Sequence, residues 1–245
     1  AGQWGYTAAR VIPRELPALV YPEAMSGMPE SPEGYIEASS KLHPVLEAEF
    51  GKQNVEILWS QPSPGLNVLC RDKNLATDWK GKKVRTAGRW QARQVAQLGA
   101  SPVAMDPGEQ YIALQNKTID CVLSVHVLAL SLKLHEVAPK VTVLRMPVNL
   151  GMYIINKGIW EKMSADDRAR IKALGQEAAR RSAKYVFEQQ NVALETLKSQ
   201  KAEVYTLNDV QYADFRKAIR PAFDEMDATG GEGGKQIKAI LAKYW

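Results

Sequence analysis

The stretch from residue 82 to residue 125 constrains the fold more than any other part of the chain. "KKVRT" (82–86) reads as a short strand that Gly88 ends. Ala92, Val95, Ala96 and Gly99 then fall at i, i+3, i+4 and i+7, the spacing of one helix face. "SPVAM" (101–105) reads as a second strand, Pro107 as the start of a helix through "GEQYIALQNK", and "TIDCVLSV" (118–125) as a third strand. Strand, helix, strand, helix, strand at this spacing requires parallel pairing through right-handed crossovers. This region is therefore α/β, and small ligands of such sheets bind at the carboxyl ends of the strands.

The flanks add further elements. "IPRELPALVYP" (12–22) holds three prolines and reads as an extended connection. Ser31 opens a helix that runs on past Leu46, and "VEILWS" (55–60) reads as a buried strand. "VTVLRM" (141–146), "GMYIIN" (151–156) and "AEVYTL" (202–207) read as strands. Ser164, followed by Asp166 and Asp167, is an N-cap with acids in the first turn. It opens a charged, proline-free helix to about residue 199, long enough to span two lobes. "DATGGEGG" (227–234) reads as a loop before a last helix.

At 245 residues, with 45% hydrophobic and 24% charged, the chain can bury a real core as one large domain or two modest ones. No apolar run approaches the ~18 residues that span a bilayer. The start, Ala1-Gly2-Gln3-Trp4, shows no signal peptide. That fits a cytosolic protein, a processed exported one, or a chain whose beginning is absent. Cys70 and Cys121 are the only cysteines. They either pair once or sit as two small core residues, and the second reading is favoured because free cysteine is commonly buried.

Most catalytic chemistry finds no support. His43, His126 and His135 lack metal-ligand spacing and read as structural. There is no GxSxG, and "GGEGGKQ" (230–236) lacks phosphate-loop spacing. The net charge of +5 permits an anionic partner. "KGKKVRTAGRW" (80–90) gathers five cations, Lys80, Lys82, Lys83, Arg85 and Arg89, but acids dilute the positives elsewhere, unlike the extended basic face of a nucleic-acid binder. Arg85 differs from the lysines. It stands at the carboxyl end of a parallel strand, before a glycine turn and a helix N-terminus, where its planar fork can grip a carboxylate. Pairing with a structural acid is the equal alternative.

"DWKGKKVRTAG" (78–88) and "QLGASPVAMDPGEQYIALQNKTIDCV" (97–122) closely resemble the solute-binding proteins of TRAP transporters, the DctP family. The matching residues include Lys80-Gly81-Lys82-Lys83-Val84-Arg85, Leu98-Gly99-Ala100, Glu109, Tyr111, Ala113-Leu114-Gln115 and Ile119-Asp120. The resemblance extends over essentially the whole chain. It implies an α/β, two-lobed periplasmic binding protein-like fold with a long lobe-spanning helix. Lobe I would hold residues 1–63 plus 150–190, and lobe II residues 64–149 plus 191–245. Members begin with a strand, helix and strand for which no counterpart precedes Ala1.

The implied function is capture of an organic carboxylate in the inter-lobe cleft, in the periplasm, by a monomer that delivers it to the small and large TRAP membrane subunits. No catalysis, cofactor, metal or nucleic acid is implied. Arg85 matches the carboxylate-binding arginine of the family. Ser124 falls where some members place a ligand-touching asparagine, and Asn67 near the place of a second arginine. Cys121 stands where glycine is usual. Arg89, Pro107 and Asn149 join the expected site. Trp90, Trp4 and Tyr6 would supply an aromatic wall for a bulky or aromatic acid, with burial in the core as the alternative for Trp90. The competing readings are an enzyme acting on an anion in the same cleft and, further off, a nucleic-acid binder.

Overall fold

The computed structural model describes residues 4–8, 16–76, 78–146 and 148–245, and for 4–8 and Val148 the backbone only. The elements in chain order are β1 (Trp4–Ala8), α1 (Val20–Glu23), α2 (Pro32–Gly51), β2 (Val55–Pro64), β3 (Asn67–Cys70) and β4 (Lys83–Thr86). Then come α3 (Arg89–Gln97), β5 (Ser101–Ala104), α4 (Gln110–Gln115), β6 (Cys121–Ser124), α5 (His126–Ser131), α6 (Leu134–Val137) and β7 (Lys140–Val143). The chain ends with β8 (Val148–Asn156), α7 (Lys157–Glu161), α8 (Ala165–Ser199), β9 (Glu203–Thr206), α9 (Asp209–Thr229) and α10 (Gly231–Leu241).

The fold is α/β with two lobes, each built on its own sheet. One sheet has the order β1-β8-β2 and is antiparallel. The other has the order β5-β4-β6-β3-β7-β9. β4 pairs in parallel with β5 and β6, as the strand–helix alternation requires. β3 enters between β6 and β7 antiparallel to both, so the sheet is mixed. β3 is reached directly from β2 through Gly65 and Leu66, and the chain leaves β7 for β8 through Leu144, Arg145 and Met146. These two short crossings join the sheets.

α8 is the third connection. Ser164 caps it by accepting from the Asp167 N–H, and its 35 residues extend about 52 Å at 1.5 Å per residue. Near its start it lies on β2, where a Cβ on Gly175 would stand 2.9 Å from the Trp59 ring. Further along, Gln190 donates from Nε2 to Gly65 O at 3.3 Å, and its own carbonyl meets the His126 ring. One helix thus touches both lobes and a crossing between them.

Several sequence expectations are corrected. Residues 17–22 are not extended: Pro17–Leu19 form a 3-10 turn that runs into α1, with Pro17 at the first position, where its missing N–H costs nothing. The rest of that segment, residues 12–15, lies outside the described residues. The buried face of α3 is Trp90, Gln91, Gln94, Val95 and Leu98 rather than the alanine face. Two of those residues are glutamines, and Gln94 clamps the Met25 backbone through both N–H (2.8 Å) and C=O (3.1 Å), so an apolar pattern could not reveal the face. The glycine-rich 227–234 is no loop. It is the junction of α9 and α10, and a Cβ on Gly233 would stand 3.0 Å from Ala18 Cβ, so glycine allows α10 to press on the first segment.

Cys70 and Cys121 form a disulfide, against the favoured reading of two free cysteines. They are register partners across β3 and β6, with Cα atoms 4.1 Å apart, within reach of a bridge that hydrophobic character alone did not signal. No helix is long and apolar enough to cross a membrane among the described residues.

Candidate functional site

The carboxyl ends of β4 and β6 and the start of β3 meet at one place. Asn67 and Ser124 are register partners, and Arg85 is paired with Val122, two residues before Ser124. Alternation along strands puts Arg85, Ser124 and Asn67 on the same sheet face, the face that carries Leu69 and Val122 into the smaller core. All three are buried, at 5%, 2% and 3% exposure. They stand beside the crossings, since the Leu144 N–H donates to Asn67 Oδ1 at 3.2 Å.

Arg85 is held in place by its backbone surroundings. Its Nε donates to Met105 O at 3.0 Å and one terminal nitrogen to Leu123 O at 3.2 Å. These carbonyls lie just past β5 and near the end of β6, so the two bonds fix the guanidinium plane where the three parallel strands stop. The neighbouring lysines serve other ends. Lys82 pairs with Asp72 at 2.9 Å, and Lys83 is exposed. Asp120 accepts from the Lys83 N–H and pairs with Arg71 at 2.8 Å. Acids therefore offset the positive strand locally.

A cavity of about 240 Å³ adjoins this cluster at the crossings, lined among others by Asn67, His126, Gln190, Arg145, Glu30 and Phe187. Burial pushes the His126 imidazole down to about 4, against the opposing pull of its Gln190 carbonyl contact. At the rim, Arg145 pairs with Asp209 at 2.6 Å and lies 4.6 Å over the Tyr212 ring, while the Tyr212 hydroxyl donates to Glu30. His126, Gln190 and Glu30 carry no sequence signal for this role. Each became a lining residue only because α8 and the 26–31 segment pack over the crossings.

The remaining expected residues are distributed as follows. Trp90 is 1% exposed in the main core, the packing alternative for this residue, with the exposed Arg89 guanidinium 5.0 Å over its ring. Pro107 is exposed, two residues beyond the carbonyl that holds Arg85. Asn149 is buried opposite Ser63 where β8 approaches the crossing. Trp4 and Tyr6 lie in β1 opposite Ile155 and Tyr153, and their side chains fall outside the description. The α3 N-terminus, expected to offer free amides to a ligand, is met from within the chain: Glu23 accepts from the Trp90 N–H at 2.8 Å. Among the described residues no His, Cys, Asp and Glu cluster could hold a metal.

Comparison with known proteins gives one family. A model described as bacterial extracellular solute-binding protein, family 7 (DctP), matches residues 39–229. The sialic acid-binding periplasmic protein SiaP of Vibrio cholerae is 30% identical over 171 residues, 66% of this chain and 50% of that protein. The chain spans 50 to 64% of the length of the curated relatives it matches. The fold is also that of solved TRAP periplasmic solute-binding proteins. The apo open form from Marinobacter aquaeolei superposes with a TM-score of 0.90 at 18% identity, covering 98% of this chain and 81% of that one. The ectoine-binding protein of the Halomonas elongata TRAP transporter gives 0.88 at 21% identity, covering 98% and 81%.

Proposed function

This chain belongs to the bacterial extracellular solute-binding proteins of family 7, the DctP family, and from that premise we propose that it captures a small organic carboxylate in the periplasm and delivers it to the membrane subunits of a TRAP transporter. The observation that carries the reading is Arg85, a buried cation fixed by two backbone carbonyls beside Ser124 and Asn67 where three parallel strands end. Sialic acid and ectoine, named for the Vibrio and Halomonas proteins, are the kind of small solute this reading expects. In this reading lobe I takes residues 1–63 plus 150–190 and lobe II residues 64–149 plus 191–245, a division supported by the passages from β2 to β3 and from β7 to β8 between the two sheets.

The mechanism is binding coupled to closure, without catalysis. A ligand held by Arg85 on one lobe and by groups of the other favours the closed state by its extra contacts there. In this reading closure turns about the crossings, where the Leu144 N–H is bonded to Asn67 and Gln190 to Gly65. Native mass spectrometry of the purified protein, followed by gentle release of bound molecules, tests the proposal. A retained carboxylate supports it. An empty protein with no thermal shift across aliphatic and aromatic acids counts against it.

A further inference from the structure

The cavity at the crossings has a defined hydrogen-bond polarity. His126 Nδ1 lies 3.3 Å from the Gln190 carbonyl oxygen. A carbonyl oxygen only accepts, so Nδ1 carries the ring proton and Nε2 keeps a bare lone pair. That Nε2 is buried without a partner. Gln190 donates from Nε2 to the Gly65 carbonyl, which fixes its amide, and its Oε1 is likewise buried without a partner. The two residues are 3% and 7% exposed. Two neutral acceptors in the same lining therefore have no donor within the described protein.

The other polar groups of the lining are mixed. Glu30 contributes a carboxylate to the lining. Arg145, the one cation among the lining residues, is paired with Asp209 at 2.6 Å and covered by the Tyr212 ring. Asn67 has its Oδ1 taken by Leu144, which leaves its amide N–H groups toward the cavity. Asn191, also in the lining, is exposed and its amide can present a donor or an acceptor, while the buried Ser124 hydroxyl lies outside the lining, beside its register partner Asn67.

We propose that the ligand of this cleft is a monocarboxylate that also bears an N–H or O–H donor, a hydroxy, amino or amido acid, and that a second carboxylate is selected against. The inference rests on the carboxylate-binding reading of Arg85. Water in the empty cleft can donate to the His126 and Gln190 acceptors. A ligand that displaces this water must donate in its place or leave buried acceptors unpaired. An ionised carboxylate brings only lone pairs to that position, against Glu30 and without a spare cation.

Isothermal titration of the intact protein at neutral pH with isosteric acids tests this. The pairs are succinate against succinamate, glutarate against glutaramate, and propionate against lactate. The expected result is that the amide or hydroxy acid of each pair binds roughly 10-fold or more tightly than its partner. A dicarboxylate that binds equally or better overturns the inference while leaving the solute-binding reading intact. Silence toward all of these acids, with an empty native mass spectrum, overturns that reading and the inference with it. Any other carboxylate recovered from the native protein is judged the same way: one with an N–H or O–H supports the inference, and one without overturns it. H126F keeps a ring and removes the lone pair, so the amide-to-acid preference should fall several-fold. An unchanged preference in folded H126F overturns the assignment of the acceptor to His126.

Discussion

The buried carboxylate of Glu23, at the end of α1, accepts a hydrogen bond of 2.8 Å from the backbone N–H of Trp90 in the first turn of α3. A carboxyl group from another segment thus caps the helix by accepting from its first turn. The Trp90 amide in this turn is therefore taken from within the chain. The arrangement has a cost, because the other Glu23 oxygen is buried without a partner.

Glu23 should therefore make stability fall as pH rises. Burial pushes its carboxyl up to about 8, although the Trp90 amide and the Arg89 charge pull the other way. Between the unfolded value of 4.5 and about 8 the folded protein holds a proton that the unfolded chain has lost, so stability declines through that window and levels above it. E23Q keeps an acceptor for the Trp90 amide and removes the titration. Relative to wild type it should match near pH 4.5 and gain up to about 5 kcal/mol above pH 8, read as thermal midpoints several degrees higher. Parallel curves for the two proteins would sink this account.

His126 should act in the opposite direction. Its folded value of about 4 lies below the unfolded 6.5, so its contribution is present above pH 6.5 and is lost as pH falls toward 4. The loss is on the order of 3 kcal/mol. Between about pH 4.5 and 6.5 the two groups offset each other, and wild-type stability should be nearly flat. Urea unfolding of E23Q across this range should expose the histidine slope, and the E23Q/H126L double variant should lose it. A slope that survives in the double variant assigns it elsewhere.

The parallel β4, β5 and β6, the caps at Ser31 and Ser164 and the length of α8 were legible because each rests on local chemistry: apolar runs, capping residues, absence of proline. Arg85 was legible as a cation at a strand end. The insertion of β3 between β6 and β7 was not, because no local pattern tells a four-residue strand its neighbours. The α3 face was missed because buried glutamines look polar in sequence, although Gln94 is satisfied there by the Met25 backbone. The His126 and Gln190 acceptors lie 64 residues apart and meet only through the path of α8. The glycines at 230–234 were read for their flexibility when they serve close helix contact.

Arg85 holds two backbone carbonyls and is the proposed ligand-binding cation, and its variants should separate the two roles. R85A removes the cation and leaves the Met105 and Leu123 carbonyls without their donor. It should lose ligand affinity by roughly 100-fold or more and also lose about 1–3 kcal/mol of stability. R85K keeps a charge but not the planar fork, so its affinity should fall while its fold stays closer to wild type. Calorimetric titration beside thermal unfolding reads both effects. Wild-type affinity in R85A would remove Arg85 from the centre of the site.

The disulfide lies beside that site, since Cys121 is paired with Cys70 in β3 and with Val84 in β4, one residue before Arg85. It links residues 51 apart, a loop whose closure in the unfolded chain is worth about 4 kcal/mol in the chain-entropy picture. With both cysteines at 1% exposure or less, a reductant reaches the bond only when the strands part. Reduction under native conditions should be slow, and once complete it should lower the denaturant midpoint by the equivalent of about 2–4 kcal/mol. A C70A/C121A variant should start near that lower midpoint and ignore reductant. Such a bond persists in an oxidising compartment and not against cytosolic thiols, which agrees with the proposed periplasmic site of action. Thiol titration of the unreduced, denatured protein decides the matter: no free thiol is expected, and two would show that the strands pair without the bond.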